Sequence, residues 1–462
     1  MIPYICFHEE KKDSNIEMRN ISNKNNKNAL IISFYSPPLQ GMGSIRMGKL
    51  LKYLPESGWN PFVISGKEKT QDSREPDSLV SDVQNIRLPY SSISIFMKQI
   101  LFLNGVTITQ QTSDTPLDIK RTALKSLSLW RPVYNLPLIR TLVFEPMGWY
   151  FKAYREGTKI IDIIQPDVIF SSYAPAVSHL VASRLQKYSK LPWVAEFKDP
   201  WSLNQYFSKT QPFQFSEETW EKRVLKNSTL ITAISKEVAD KMERFHLKDT
   251  AVIPDGFDPD DYKDPVPLTI KFTITHTGLM YSGKRNPEPL FSAVRQLFKE
   301  GEISPENFEI RFFGSNTREI NELVEKYDIG KLVSLQGSVS HRESIRHQKE
   351  STILLLLTWN DPREWGYPGK IYEYFGAGRP ILASAYRGGH IEDLIMKSGS
   401  GIVANEAGEI KDVLLKWLME FRKYGRITSY FEPNTKVIED NTWKNQAKKL
   451  ADVFEIAIKQ RK

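Results

Sequence analysis

A lysine and a glutamate at the start of one short helix carry the most legible chemistry in this chain. The stretch Gly366-Tyr-Pro-Gly-Lys-Ile-Tyr-Glu-Tyr-Phe-Gly-Ala-Gly-Arg-Pro-Ile-Leu382 opens as a glycine- and proline-rich loop. It becomes an amphipathic helix and ends in a small-residue turn before a strand. Lys370 stands where unpaired backbone N–H groups and the helix dipole already favour phosphate oxygens. Glu373, one turn further in, can accept hydrogen bonds from two sugar hydroxyls. The pair describes a socket for a sugar nucleotide.

Three other loops offer matching chemistry. Thr277-Gly-Leu-Met-Tyr-Ser-Gly-Lys-Arg-Asn-Pro287 brackets a strand-to-helix loop with Gly278 and Gly283 and sets Lys284 and Arg285 at the helix start. Two adjacent cations there suit a pyrophosphate leaving group whose developing charge they neutralise. Tyr35-Ser-Pro-Pro-Leu-Gln-Gly-Met-Gly-Ser-Ile-Arg46 places Gly41, Gly43 and Ser44 before a helix, so backbone amides can approach a ligand closely. Arg46 admits two readings, a phosphate or acceptor-side contact or a cap on a solvated helix face. Glu196-Phe-Lys-Asp-Pro-Trp201 brings Glu196, Lys198 and Asp199 to the end of an apolar strand. Asp199 is the candidate base beside an acceptor hydroxyl; the alternative is a turn cap paired with Lys198. Neither the G-x-G-x-x-G fingerprint nor a Walker loop is present.

The elements that must hold these loops alternate. Apolar runs at Ala29–Phe34, Pro61–Ser65, Asp167–Ser171, Pro192–Glu196, Leu230–Ala233 and Ala251–Pro254 read as buried strands separated by helical patterns. A Pro- and Asp-rich linker at 258–267 follows, and the alternation restarts at Phe272. This predicts an α/β protein of two Rossmann-like domains facing each other across a cleft, with loops at the carboxyl ends of parallel strands. The expected division is a polar tail (1–28), an amino-terminal acceptor-side domain (29–262) with a basic and aromatic insertion at about 90–160, a carboxyl-terminal domain (263–435) and a closing helix (436–462).

Composition narrows the class. At 462 residues, 40% hydrophobic and 26% charged, the chain can build two real cores. A lone Cys6 excludes an intramolecular disulfide framework and a cysteine-based zinc site, pointing to a reducing, cytoplasmic setting. No run of 18 apolar residues occurs, and the first residues break into charge too early for a secretory signal. The net charge of +8 is concentrated at 120–160, where eight Lys or Arg interleave with aromatics such as Trp130, Trp149 and Phe151. Either these aromatics are core and the charges solvated, or the stretch meets an anionic membrane. No nucleic-acid motif accompanies it.

The order of the pieces YSPP…GMGSIR, PDVIFSS, LPWVAEFKDPW, ITAISKEVADKM…VIPDGFDPDDY, THTGLMYSGKRNPEPL and GYPGKIYEYFGAGRPIL resembles the retaining glycosyltransferases of the two-domain GT-B fold, family four in particular, over residues 29–460. The resemblance implies a metal-independent retaining enzyme without a cofactor, whose donor substrate is a nucleoside-diphosphate sugar bound in the carboxyl-terminal domain. It also implies a final helix crossing back to the amino-terminal domain. By the same resemblance Glu373 binds the ribose, Lys284 and Arg285 lie on the diphosphate, and the loop at Gly337 and Val339 reads the base. Two departures stand out. Glu364 and Glu373 are one residue further apart than the family's glutamate pair, so Tyr367 to Lys370 take over part of the first glutamate's role. Lys198-Asp199 occupies the place of the family's acceptor-side histidine. The expected function is sugar transfer to a saccharide or lipid-linked saccharide hydroxyl in surface polysaccharide assembly, at the inner membrane face if 120–160 docks there. A nucleotide-sugar 2-epimerase and a non-catalytic two-lobed binder are the alternatives.

Overall fold

The computed structural model describes residues 26–39, 41–67, 83–90, 146–204, 211–280, 285–314, 317–362, 364 and 366–461. Strand β1 (Lys27–Ile32) turns Ala29 and Ile31 to one face and Leu30 and Ile32 to the other, all fully buried. A continuous apolar run needs helices on both faces, and it has them. Helix α1 (Met42–Tyr53) covers the first face, while α2 (Met147–Ile164), α3 (Val177–Ser189), α4 (Gln211–Leu225) and α5 (Lys236–His246) cover the second. The strand begins two residues before the expected apolar run, because Asn28 N–H is held by Asp167. The other strands are β2 (Trp59–Lys67), β3 (Gln84–Pro89), β4 (Val168–Tyr173), β5 (Trp193–Phe197), β6 (Leu230–Ala233) and β7 (Thr250–Val252). Together they give a parallel sheet ordered β3-β2-β1-β4-β5-β6-β7.

The second sheet repeats the plan with β8 (Phe272–Thr277), β9 (Phe308–Phe313), β10 (Val333–Gly337), β11 (Ile353–Leu357), β12 (Ile381–Ser384) and β13 (Gly401–Val403). Its order is β10-β9-β8-β11-β12-β13, again parallel. Helices α6 (Glu288–Lys299), α7 (Thr317–Tyr327), α8 (His341–Glu350), α9 (Lys370–Ala377), α10 (His390–Ser398), α11 (Ala407–Tyr424) and α12 (Thr435–Asp440) flank it. In each sheet the winding reverses between two central strands, β1 and β4 or β8 and β11. Such a switch point opens a crevice at the carboxyl ends of the strands.

The chain passes between the domains twice, and the two passages are bonded together. Phe257 N–H donates to Asn441 O at 3.1 Å, and Trp443 N–H donates to Phe257 O at 2.9 Å. Helix α13 (Trp443–Lys459) then lies on the amino-terminal sheet beside α1, burying Trp443, Leu450, Val453 and Phe454 against Ile31, Val63 and Phe170. The linker is also gripped. Asp258, 2% exposed, accepts from Lys49 and Lys52 at 2.7 Å and from Tyr53 Oη at 2.6 Å, and caps the 3₁₀ turn Pro259–Tyr262.

Phe454 meets Trp59 and Phe170 edge-on, with ring centroids 5.0 and 5.6 Å apart. Phe454→Ala should therefore cost about 3–5 kcal/mol of stability. Denaturant unfolding followed by far-UV circular dichroism measures this; a loss below about 1 kcal/mol, the range of an ordinary surface substitution, would show that α13 is not docked as described.

Candidate functional site

Helix α9 is only eight residues long, so it owes its position to packing rather than to its own propensity. Ile371, Tyr372, Tyr374 and Phe375 face the core. Tyr374 Oη donates to Leu355 O at 3.2 Å and accepts from the Thr277 N–H at 3.3 Å, bolting the helix to β11 and β8 at once. With that face fixed, Lys370 and Glu373 are turned towards the crevice of the carboxyl-terminal sheet.

Lys370 Nζ lies 3.2 Å from His276 Nε2 and across Gly278, where a Cβ would sit 2.9 Å from the nitrogen. Gly278 also has φ +111°, so only glycine suits both demands. Burial, and then the charge of Arg285, push the Lys370 amine well below its usual range. Arg285 is half-buried, with its guanidinium donating to Leu279 O at 2.8 Å. Glu373 is held by Gln348 Nε2 at 2.9 Å and His341 Nε2 at 3.3 Å. Burial would raise its carboxyl, but the His341 hydrogen bond and charge, with Gln348 and Lys370, hold it below the usual range. The same hydrogen bond raises the His341 imidazole. Gly337 has φ +68° and its carbonyl accepts from Gly314; half-buried Val339 leads into the Ser340 cap and His341.

The amino-terminal domain brings a second helix start to the same place. Neither α1 nor α9 carries a side-chain cap, and the two starts abut: a Cβ on Gly369 would lie 2.9 Å from Met42 Cε. Gly41, φ +117°, precedes α1, and the Lys198 ammonium rests against Gly43. Burial lowers the Lys198 pKa, and the Arg46 charge adds to this against Glu196, Asp199 and Asp255. Two positive helix ends with Lys370, Arg285 and Lys198 beside them gather positive charge from both domains, an arrangement suited to an anion.

Several expected residues sit elsewhere. Arg46 is 2% exposed and spends all five N–H groups internally, on Glu196 (3.0 and 2.8 Å), Asp255 (2.8 Å) and the carbonyls of Ile253 and Pro254. It is neither a phosphate contact nor a solvated cap, because a guanidinium with every donor used has none for a ligand. Glu196, 1% exposed, is its partner and not an acceptor-side group. Ser44, in the first turn of α1, is buried, and its hydroxyl has no hydrogen-bond partner among the described residues. Asp199 is exposed at the end of β5, whereas Lys284 lies outside the described residues. Tyr367 packs edge-on to His390 at 4.7 Å, with burial and then Glu237 pushing its phenol up to about 12. Of the 120–160 stretch, residues 120–145 lie outside the described residues. The rest divides both ways, Trp149 being fully buried while Phe151 is 65% exposed.

Sequence reasoning missed His276, His341, Gln348 and Asp255. His341, Ser344 and Gln348 lie at i, i+3 and i+7, one helix face, which was a usable signal. Among the described residues no group of three or more His, Cys, Asp or Glu is placed to hold a metal ion, and no helix is long and apolar enough to cross a membrane.

Residues 105–261 match the family model of Glycosyltransferase Family 4. Sucrose-phosphate synthase from Thermosynechococcus elongatus is 15% identical with a TM-score of 0.57, over 93% of this chain and 98% of that one. Anabaena HepE in complex with UDP and glucose is 12% identical with a TM-score of 0.59, over 93% and 100%. A glycosyltransferase from Rickettsia africae is 15% identical with a TM-score of 0.56, over 94% and 99%. No curated protein matches. The chain has the GT-B fold of these proteins, two parallel sheets with interleaved helices, as the alternation of its apolar runs predicts.

Glu364, half-buried beyond β11, accepts from the Trp359 N–H at 3.3 Å. Burial pushes its carboxyl from 4.5 up to about 7, against the Trp359 and Thr358 hydrogen bonds and the Arg285 charge. A carboxyl raised on folding stabilises the fold below its unfolded value, and that contribution is lost as pH rises through the folded value. Glu364→Gln cannot ionise. The melting temperature of this variant should therefore gain on that of the wild type between pH 5 and pH 8; a constant difference across that window would contradict the placement.

Proposed function

We propose that this GT-B protein is a glycosyltransferase that moves a sugar from a nucleoside-diphosphate sugar to a hydroxyl of a saccharide or lipid-linked saccharide, in surface polysaccharide assembly. The observation that carries the reading is the meeting of two uncapped helix starts, at Met42 and Lys370, with Lys198, Lys370 and Arg285 around them. A diphosphate is the ligand whose charge and length suit that arrangement. The complex of HepE with UDP and glucose, of the same fold, supports a sugar nucleotide here.

In this reading Glu373, kept ionised, accepts the ribose hydroxyls, and the backbone at Gly337 and Val339 faces the base. The bond from the anomeric carbon to the diphosphate oxygen breaks as the acceptor oxygen bonds to that carbon, with retained configuration. The acceptor proton passes to the departing diphosphate, whose charge is met by the helix ends, Lys370, Arg285 and the neighbouring Lys284. Asp199 orients the acceptor hydroxyl.

Titration calorimetry with UDP, GDP, ADP and dTDP tests the donor site. Glu373→Ala should weaken binding of the preferred nucleotide at least ~10-fold, about 1.4 kcal/mol, for the loss of charge-assisted hydrogen bonds. Wild-type affinity in this variant would sink the assignment.

The membrane reading gains a defined surface. Phe151, Lys152, Arg155, Lys159 and Ile163 lie on the outer side of α2, and Arg184, Lys187 and Tyr188 continue it on α3. Arg184 covers the Tyr154 ring at 4.4 Å. A cationic face with exposed apolar side chains suits an anionic bilayer at the cytoplasmic face. The full chain should sediment with phosphatidylglycerol vesicles at low salt and be released at high salt, whereas Lys152→Glu/Arg155→Glu/Lys159→Glu should stay in the supernatant. Full recovery of the wild type in the supernatant at low salt would reject this surface.

A further inference from the structure

His276 is the penultimate residue of β8 and has no exposed surface. Its Nδ1 lies 2.9 Å from Leu355 O. A carbonyl oxygen can only accept, so Nδ1 carries the proton and Nε2 presents a lone pair. Lys370 Nζ lies 3.2 Å from that lone pair, so the lysine is the donor. Two further observations agree. Burial, then the Lys370 charge, hold the His276 pKa well below its usual value, so the ring stays neutral and never turns an N–H towards the ammonium. The lysine side chain crosses Gly278, where any Cβ would displace it.

We infer that His276 is a positioning residue: its fixed tautomer takes one N–H of Lys370 and aims the other two at the diphosphate site. A lysine is a flexible point charge whose rotamer freedom must be lost when it binds phosphate. Fixing it beforehand removes that cost from the binding step. His276 itself touches no ligand; it acts through Lys370. This inference rests on the donor-site reading above.

The discriminating variants separate the two ring nitrogens. His276→Asn keeps an amide donor for Leu355 O and leaves Lys370 without its acceptor. His276→Gln reaches as far as Nε2 and restores an acceptor oxygen. Calorimetry with inorganic pyrophosphate and with the best-binding nucleoside diphosphate should show His276→Asn weakened about 10-fold, roughly one charge-assisted hydrogen bond. His276→Gln should recover most of that affinity. In a Lys370→Met background the His276→Asn change should have no further effect, the non-additivity expected of residues acting through one contact.

If Lys370→Met binds like the wild type, the donor-site reading fails and the inference fails with it. If Lys370→Met is weak but His276→Asn binds like the wild type, only the inference is overturned. An equal loss from His276→Asn with and without Lys370, accompanied by a lowered melting temperature, would mark His276 as a packing residue and also overturn it. The full pattern, with rescue by Gln and no effect in the Lys370→Met background, establishes positioning.

Discussion

The guanidinium of Arg46 is the contact on which the arrangement of both domains depends. It sits on α1, binds Glu196 at the end of β5, and holds Asp255 and two carbonyls of the first inter-domain passage. It also lies 5.7 Å from the ring of Trp443, the first residue after the second passage. Asp255 in turn approaches Gly369 at the start of α9. One side chain thus registers four segments whose agreement decides whether the two helix starts meet. Its net contribution to stability need not be large, since desolvating the ions offsets much of their attraction. Removing either partner is another matter, because a buried charge would be left unpaired, at about 3–5 kcal/mol. The pair specifies an arrangement more than it strengthens one.

That arrangement concentrates positive charge, opposed at Lys198 by Glu196, Asp199 and Asp255 and at Lys370 by Glu373. Lys198, Lys370 and Arg285 lie beside the two helix ends, and burial holds both lysines below their ordinary pKa, helped by the Arg46 charge at Lys198 and the Arg285 charge at Lys370. Charge was placed where an anion would relieve it, a feature of binding sites more than of stable cores. The carboxylates show the complementary logic. Glu373 has His341 and Gln348 and stays ionised, while Glu364, with weaker partners, is pushed up to about 7. Two carboxyl groups near one site are separated in protonation by what surrounds them.

Much of this was legible in the sequence, and the reasons differ for what was not. The apolar runs gave the strands, because a strand buried on both faces cannot be polar. Strand β3 was not anticipated, since Gln84–Pro89 is a half-buried edge of mixed polarity. The Lys370 and Glu373 pair could be read because local spacing fixes its geometry. Arg46 could not: its partners lie 150 and 209 positions away, and an arginine on a helix is ordinarily solvated. His276 was hidden for the same reason, 94 residues before Lys370. The acidic run was read only as a linker, and its grip was not visible: Lys49, Lys52 and Tyr53 converge on Asp258 from some 205 to 209 positions away.

The two candidate residues on α9, Lys370 and Glu373, stand three apart, and neither relies on the helix alone for its aim. Tyr374 fixes the helix to two strands, Gln348 and His341 reach Glu373 from α8, and His276 reaches Lys370 from β8. An eight-residue helix in isolation would fray at the very turn that carries both side chains. Clamped from three elements, that turn is part of the domain's core on one side and of the cleft on the other. Its orphan N–H groups are then held rigidly in place, and a preorganised dipole acts on developing charge without first having to reorient. The shortness of α9 does not loosen it: its rigidity comes from β8, β11 and α8, so extra helical turns would add length without adding aim.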